Sequence, residues 1–285
     1  MQKRRFWMML FVIAAACAVL VAYITADKMA TDTKAPEIIL DMQQIELSVR
    51  DPKEVLLQGI SARDDRDGDV TDSLVIESIY GITEDHSVTV TYAAFDSSGN
   101  VAKAQRQVRY TDYESPHFTL SQPLVFDYGK SFEILSFVGA EDVFDGDIQR
   151  RVKATLVSGG ISVSEEGSHD VQFRVTNSLG ETVQLVLPVE VRAKSDFDAT
   201  LTLKDYLIYL PRGANFNRQG YLESLDYLDG TVDLTGSIPQ EVTVRYDGAV
   251  DTNAPGVYVL NYTVSCTTDR KVYTGSSRLL VVVEE

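Results

Sequence analysis

The chain has 285 residues, 42 acidic against 26 basic, and a formal net charge of −16 at pH 7. That balance opposes nucleic-acid binding, whose affinity rests on phosphates neutralised by Lys and Arg, and opposes lying on anionic lipid. Of its two cysteines, Cys17 falls in an apolar run and Cys266 stands alone outside it, so no disulfide within the chain is expected.

The chain opens on MQKRR (1–5), a short basic tail, followed by FWMMLFVIAAACAVLVAYITA at 6–26. This apolar run is long enough to cross a hydrocarbon core of ~30 Å as one helix. Lys3, Arg4 and Arg5 keep the first end in the cytoplasm by the positive-inside rule. The expectation is a single-pass signal-anchor in the cell membrane, with everything after residue 26 extracellular. The alternative is a signal peptide and a secreted product. Signal-peptide cores are usually shorter and end at small residues, whereas Ile24 spoils an A-x-A site here. The AAAC run at Cys17 would suit lipid attachment, but apolar residues continue past it. Residues 27–35 (DKMATDTKA) read as a polar linker.

Three copies of one pattern follow, expected at 36–113, 114–194 and 195–285. Their common sign is an acidic turn, ARDDRDGDV at 62–70, AEDVFDGDI at 140–148 and SLDYLDGTV at 224–232. Recurrence at a period of about 80 residues marks tandem small domains. Each copy opens on β-formers: EIIL after Pro36, HFTL after Pro116, and TLTL after Ala199. After each acidic turn comes a run of period two, centred on Tyr92, Phe173 and Tyr262. One apolar face at period two is a half-buried strand, which needs a second sheet to cover it. DSSGN (96–100) and NSLGE (177–181) then place Gly where a short hairpin loop needs a positive φ. In the second copy's return strand, Pro188 predicts an edge position. The third copy lacks that tight turn and ends on RLLVVV. No amphipathic helix is legible beyond residue 26. The expected fold is all-β, three tandem Ig-like β-sandwiches behind one transmembrane helix.

The order A-x-D-x-x-D-G-D-V, an alternating Val/Tyr strand, D-S-x-G-N, then R-x-V-x-x-x-D and Pro resembles the bacterial surface immunoglobulin-like repeat of the pesticidal-crystal-protein type. The first copy carries it on Ala62, Asp64, Asp67, Gly68, Asp69, Tyr92, Asp96, Gly99, Asn100, Arg106 and Asp112. The second keeps Asp142, Asp145, Gly146, Asp147 and Gly180, with Asn177 and Glu181 in place of Asp96 and Asn100. The third departs most, with Thr231 and Cys266 at positions that are acidic or amide elsewhere. The resemblance implies a surface-exposed binding or spacer module and no shared catalytic residue.

The acidic turns are the only place where ionisable groups recur in register. Asp64, Asp67 and Asp69, repeated as Asp142, Asp145 and Asp147, could offer oxygens to Ca²⁺, which takes 6–8 of them. The competing reading is a tight turn in which Asp side chains accept local backbone N–H groups. Beyond that ion no cofactor is expected. His86, His117 and His169 show no metal-ligand spacing, and no G-x-S-x-G, S-x-x-K or phosphate loop occurs. Cys266 falls on an inward-facing set and reads as a buried inert thiol, with a reactive or dimer-forming thiol as the alternative. The segment 211–223 holds Arg212, Phe216, Arg218 and Tyr221 in an otherwise acidic molecule, and Arg and aromatics are the types that anchor interfaces. The expectation is therefore a non-catalytic cell-surface array for adhesion or protein interaction, or a spacer presenting its distal third domain. Its partner would be an extracellular protein or glycan. A carbohydrate- or cell-wall-binding module is the alternative, and an enzyme is the reading least supported.

Overall fold

The computed structural model describes residues 2–30, 32–130, 132–156, 165–193, 197–269 and 271–285. The boundary expected at 194/195 lies outside the described residues. Among the described residues, a helix α1 (Gln2–Ala30) is followed by strands only, apart from short 3₁₀ turns. The stretch Lys3–Ile24 of α1 is long and apolar enough to cross a membrane. The helix runs into the expected linker as far as Ala30. Asp27–Ala30 contains no Gly or Pro to stop it, and Lys, Met and Ala are good helix formers.

The strands form three pairs of sheets. The first pair uses β1 (Glu37–Leu40), β2 (Gln44–Leu47), β3 (Ile60–Asp64), β4 (Gly68–Asp69), β5 (Val75–Tyr80), β6 (Ser87–Phe95) and β7 (Val101–Tyr110), in orders β1-β3-β4 and β2-β7-β6-β5. The second uses β8 (His117–Leu120), β9 (Val125–Asp127), β10 (Val138–Asp142), β11 (Gly146–Asp147), β12 (Lys153–Leu156), β13 (Gly167–Thr176) and β14 (Thr182–Arg192), ordered β11-β10-β8 and β12-β13-β14-β9. The third uses β15 (Ala199–Leu203), β16 (Leu207–Leu210), β17 (Leu222–Tyr227), β18 (Gly230–Asp233), β19 (Val242–Asp247), β20 (Gly256–Thr267) and β21 (Val272–Val283), ordered β15-β17-β18 and β16-β21-β20-β19. Within each pair a short early strand (β2, β9 or β16) runs parallel to the last one. This is a repeated Ig-like sandwich. The sequence forms it because each central strand has one apolar face: Val88, Val90 and Tyr92, then Val171, Phe173 and Val175, then Leu260, Tyr262 and Val264, are all buried. Gly68, Gly99, Gly146 and Gly180 take the positive φ their turns require.

The chain divides into two compact units, Met1–Asp112 and Tyr113–Glu285. In the second unit the second and third sandwiches share apolar contacts. Leu207 and Leu280 belong to the second sandwich's core, whereas their strand neighbours Ile208, Leu279 and Val281 belong to the third's. Strand β21 is thus covered on both faces, which explains its unbroken LLVVV run. Pro188 corrects the edge-strand expectation. β14 lies between β13 and β9, but β9 begins to pair only at Glu190. Pro188 precedes that pairing, where its missing N–H costs no ladder bond.

Candidate functional site

The acidic turns occupy the same place in the first two sandwiches and do the same structural work. Asp64 Oδ1 accepts the amides of Arg66 (2.8 Å) and Asp67 (2.9 Å). Asp142 Oδ1 accepts those of Phe144 (2.9 Å) and Asp145 (2.7 Å). The second acid reaches across to the hairpin loop: Asp67 accepts Ser97 N (2.7 Å) and Oγ (2.9 Å), and Asp145 accepts Ser178 N (2.7 Å) and Oγ (2.6 Å). The third starts a 3₁₀ turn, with Asp69 accepting Thr71 N (3.0 Å) and Asp147 accepting Gln149 N (2.9 Å). Hydrogen bonds from Asp67 N and Arg66 N to the ionised carboxylate hold the Asp64 pKa below its usual value. Those from the Thr71 hydroxyl and amide do the same for Asp69.

The three acids of one turn therefore point at three different backbone segments. They do not assemble into the ligand set that the sequence suggested. In the third sandwich the turn is rebuilt: Tyr227 pairs with Gly230, Asp226 accepts from Ser224 and Thr231 hydroxyls, and Asp229 accepts the Tyr273 hydroxyl.

A different trio is brought together. Asp32, Asp64 and Asp96 each place a carboxylate oxygen within 4.8 Å of the others, and all three residues are buried. Asp32 comes from the segment after α1, Asp64 from the end of β3, and Asp96 from the β6–β7 loop. Asp32 also accepts Lys34 N at 3.0 Å and pairs with Arg66 Nε at 3.7 Å. Asp96 accepts the Asn100 amide (2.7 Å) and its Nδ2 (2.6 Å), and Asn100 Nδ2 also reaches Asp32 O at 3.3 Å. Lys34 Nζ is engaged elsewhere, on Asp65 at 3.1 Å.

At the equivalent place in the second sandwich a neutral amide replaces the third carboxylate. Asn177, standing where Asp96 does, donates Nδ2 to Asp142 Oδ2 (3.0 Å) and to the Tyr113 hydroxyl (2.6 Å). Tyr113 in turn donates to Glu181. Burial, and then the hydrogen bond to Glu181, keep Tyr113 protonated well beyond the usual phenol range. In the third sandwich Cys266 is buried, and burial pushes its thiol pKa up.

The residues expected to meet a partner lie around the 3₁₀ turn Arg218–Tyr221. Phe216 and Tyr221 stack at 5.8 Å and pack, half-buried, against the third core. Arg218 lies over Tyr246 at 4.4 Å, and its carbonyl accepts the Tyr262 hydroxyl at 2.8 Å. Arg212 Nε donates to Asn253 O at 2.8 Å. The structure thus sets Arg218 on Tyr246 and leaves Arg212 and Arg218 exposed. A groove of about 740 Å³ runs along β2 beside Val55, Gln58 and Gly59, and a cavity of about 220 Å³ lies among Glu190, Arg192, Asn261 and Arg278. Neither is lined by a histidine or cysteine, and the smaller falls below the usual size of a small-molecule site.

No family model and no curated protein matches this chain. Among solved structures it is similar to the protocadherin GammaB4 extracellular domain, at 10% identity and a TM-score of 0.20, over 88% of this chain and 50% of that one. It is similar to mouse cadherin-23 EC22-24 at 12% identity and a TM-score of 0.21, over 88% and 99%. The CBM51-2 and INT domains of Clostridium perfringens ZmpB match at 19% identity and a TM-score of 0.22, over 55% and 41%. The chain spans half the length of the protocadherin chain it matches.

Proposed function

We propose that this chain is a non-catalytic cell-surface protein of the bacterial immunoglobulin-like type, tethered by α1, that displays its sandwiches outside the membrane to meet an extracellular partner. The observation that carries the tether is the helix itself. Its apolar side chains are exposed all round, Trp7 at 70% and Phe11 at 75%, among the described residues. A helix apolar on every side needs lipid or protein around it. The aspartates of the first two acidic turns each hold turn or loop hydrogen bonds, which suits a scaffold better than a reaction centre. Exposed Arg212 and Arg218, set on an aromatic cluster, support contact through the third sandwich with an acidic protein surface. The glycan-binding reading is less favoured. Sugar stacking wants neighbouring exposed rings, and in the first sandwich the exposed Tyr80 and Phe95 lie at opposite ends of the β5–β6–β7 sheet.

Protease added to intact cells should remove an epitope placed after Glu285, while α1 stays in the membrane fraction. Recovery of the mature chain in the medium would replace the anchor by a cleaved signal. Reversing Arg212 and Arg218 to Glu should lower binding of the purified chain to an envelope fraction by about tenfold, the scale of a lost interface anchor. Undiminished binding would rule out this surface.

A further inference from the structure

We infer that the first sandwich holds one Ca²⁺ between Asp32, Asp64 and Asp96. Asp64 Oδ1 is used by its own turn, but Oδ2 is buried without a hydrogen-bond partner, and the residue is only 3% exposed. An orphaned buried carboxylate oxygen is costly. The second sandwich shows what normally fills that position. There the matching oxygen, Asp142 Oδ2, receives Asn177 Nδ2 at 3.0 Å. In the first sandwich the donor amide is replaced by the carboxylate of Asp96, and Asp32 brings a further carboxylate to the same cluster. A neutral donor facing that carboxylate thus becomes an anion. Among the described residues the cluster has three carboxylates, with Arg66 Nε at 3.7 Å from Asp32 as its ion pair.

A bound divalent cation supplies the missing partner and the missing charge together. The donors are all oxygen, which selects a hard cation. Ca²⁺–O distances of about 2.4 Å put two ligand oxygens at most about 4.8 Å apart, and the three acids already meet that span. Mg²⁺ demands tighter octahedral geometry. These carboxylates are held by Lys34 N, by the adjacent Arg66 N and Asp67 N, and by Asn100 N, on three separate backbone segments, which favours the larger and geometrically more tolerant Ca²⁺. Asp32 lies two residues after the end of α1. The ion would therefore fasten the chain leaving the helix to the β3 end and the β6–β7 loop, making that joint dependent on extracellular Ca²⁺.

The test is calorimetric titration of CaCl₂ into the chelator-treated full-length chain in detergent, with MgCl₂ as comparator. The wild type should show one saturable Ca²⁺ event, with a Kd of about 10⁻⁴ to 10⁻³ M as in extracellular modules, and a weaker response to Mg²⁺. Asp32→Asn and Asp96→Asn should each abolish it. Asp69→Asn, at an exposed member of the set expected from the sequence, should retain it. Asp96→Asn installs the second sandwich's own residue. If it fails to fold, Asp32→Asn decides alone, because Asp32 precedes the first strand. No saturable heat at ten times that concentration range, or an event that survives Asp32→Asn, overturns the site.

Discussion

Arg106 shows how one side chain can distinguish otherwise parallel domains. It is 1% exposed and donates to Leu56 O, to Gln58 O at 3.0 Å and to the Tyr92 hydroxyl at 3.0 Å. Strand register equates it with Leu187 and Leu279, both fully buried. A guanidinium here replaces a leucine and binds the 3₁₀ turn Lys53–Leu57 through carbonyls. Hydrogen bonds to a charged group contribute about 1.5–3 kcal/mol, and truncation also leaves a cavity. Arg106→Ala should therefore destabilise the first unit by about 3 kcal/mol or more. Arg106→Leu should cost less, because it refills the volume as Leu187 does. Denaturant unfolding of the first unit checks this, and equal losses would disprove the packing argument. Period two in VAKAQRQVRY already places Arg106 on the inward face with Val108 and Tyr110. That a charge could live there depends on carbonyls about fifty residues earlier, which no local pattern reveals.

Strand β21 sets the behaviour of its unit. Leu280 faces the second core while Leu279 and Val281 face the third, so the two sandwiches are coupled through one strand. Tandem repetition in the sequence therefore does not make the second and third sandwiches independent. Phe173→Ala should cost about 3–5 kcal/mol, as for a buried aromatic, and Leu280→Ala about 2–5 kcal/mol. Each should lower a single transition covering residues 113–285 and leave that of 1–112 in place. Scanning calorimetry reads this directly, and separate melting of the second and third sandwiches would refute the coupling. The alternating strands and glycine turns were legible because period two and positive φ are local properties. The unbroken LLVVV run was legible as apolar, but what covers its second face was not, since that comes from the preceding sandwich.

For the molecule as a whole, the alkaline limit of stability follows from its buried tyrosines. Burial pushes Tyr110 in the first unit and Tyr209 in the second up to about 12, from an ordinary 10.0. A raised folded pKa favours the protonated form. Its contribution is complete below pH 10 and is lost as pH rises from about 10 to 12. For Tyr110, 3% exposed, a shift of about two pH units amounts to at most about 3 kcal/mol. Both units should lose stability across that interval, and Tyr110→Phe should flatten the loss in the first unit. Melting temperatures unchanged from pH 10 to 12 would contradict this.

The amino-acid sequence alone determined the all-β class, the three acidic turns, the inward positions Tyr92, Phe173 and Tyr262, and the apolar helix. Each of these rests on periodicity, or on bonds spanning two to four residues. The tertiary structure alone decided which acids meet. Asp64, Asp67 and Asp69 are neighbours in the chain yet diverge, because each satisfies a different stretch of backbone. Asp32, Asp64 and Asp96 are about thirty residues apart and converge, because the end of β3, the β6–β7 loop and the segment after α1 are packed at one place. Side-chain chemistry is written locally, but the electrostatic environment that gives it meaning is set by contacts between distant segments.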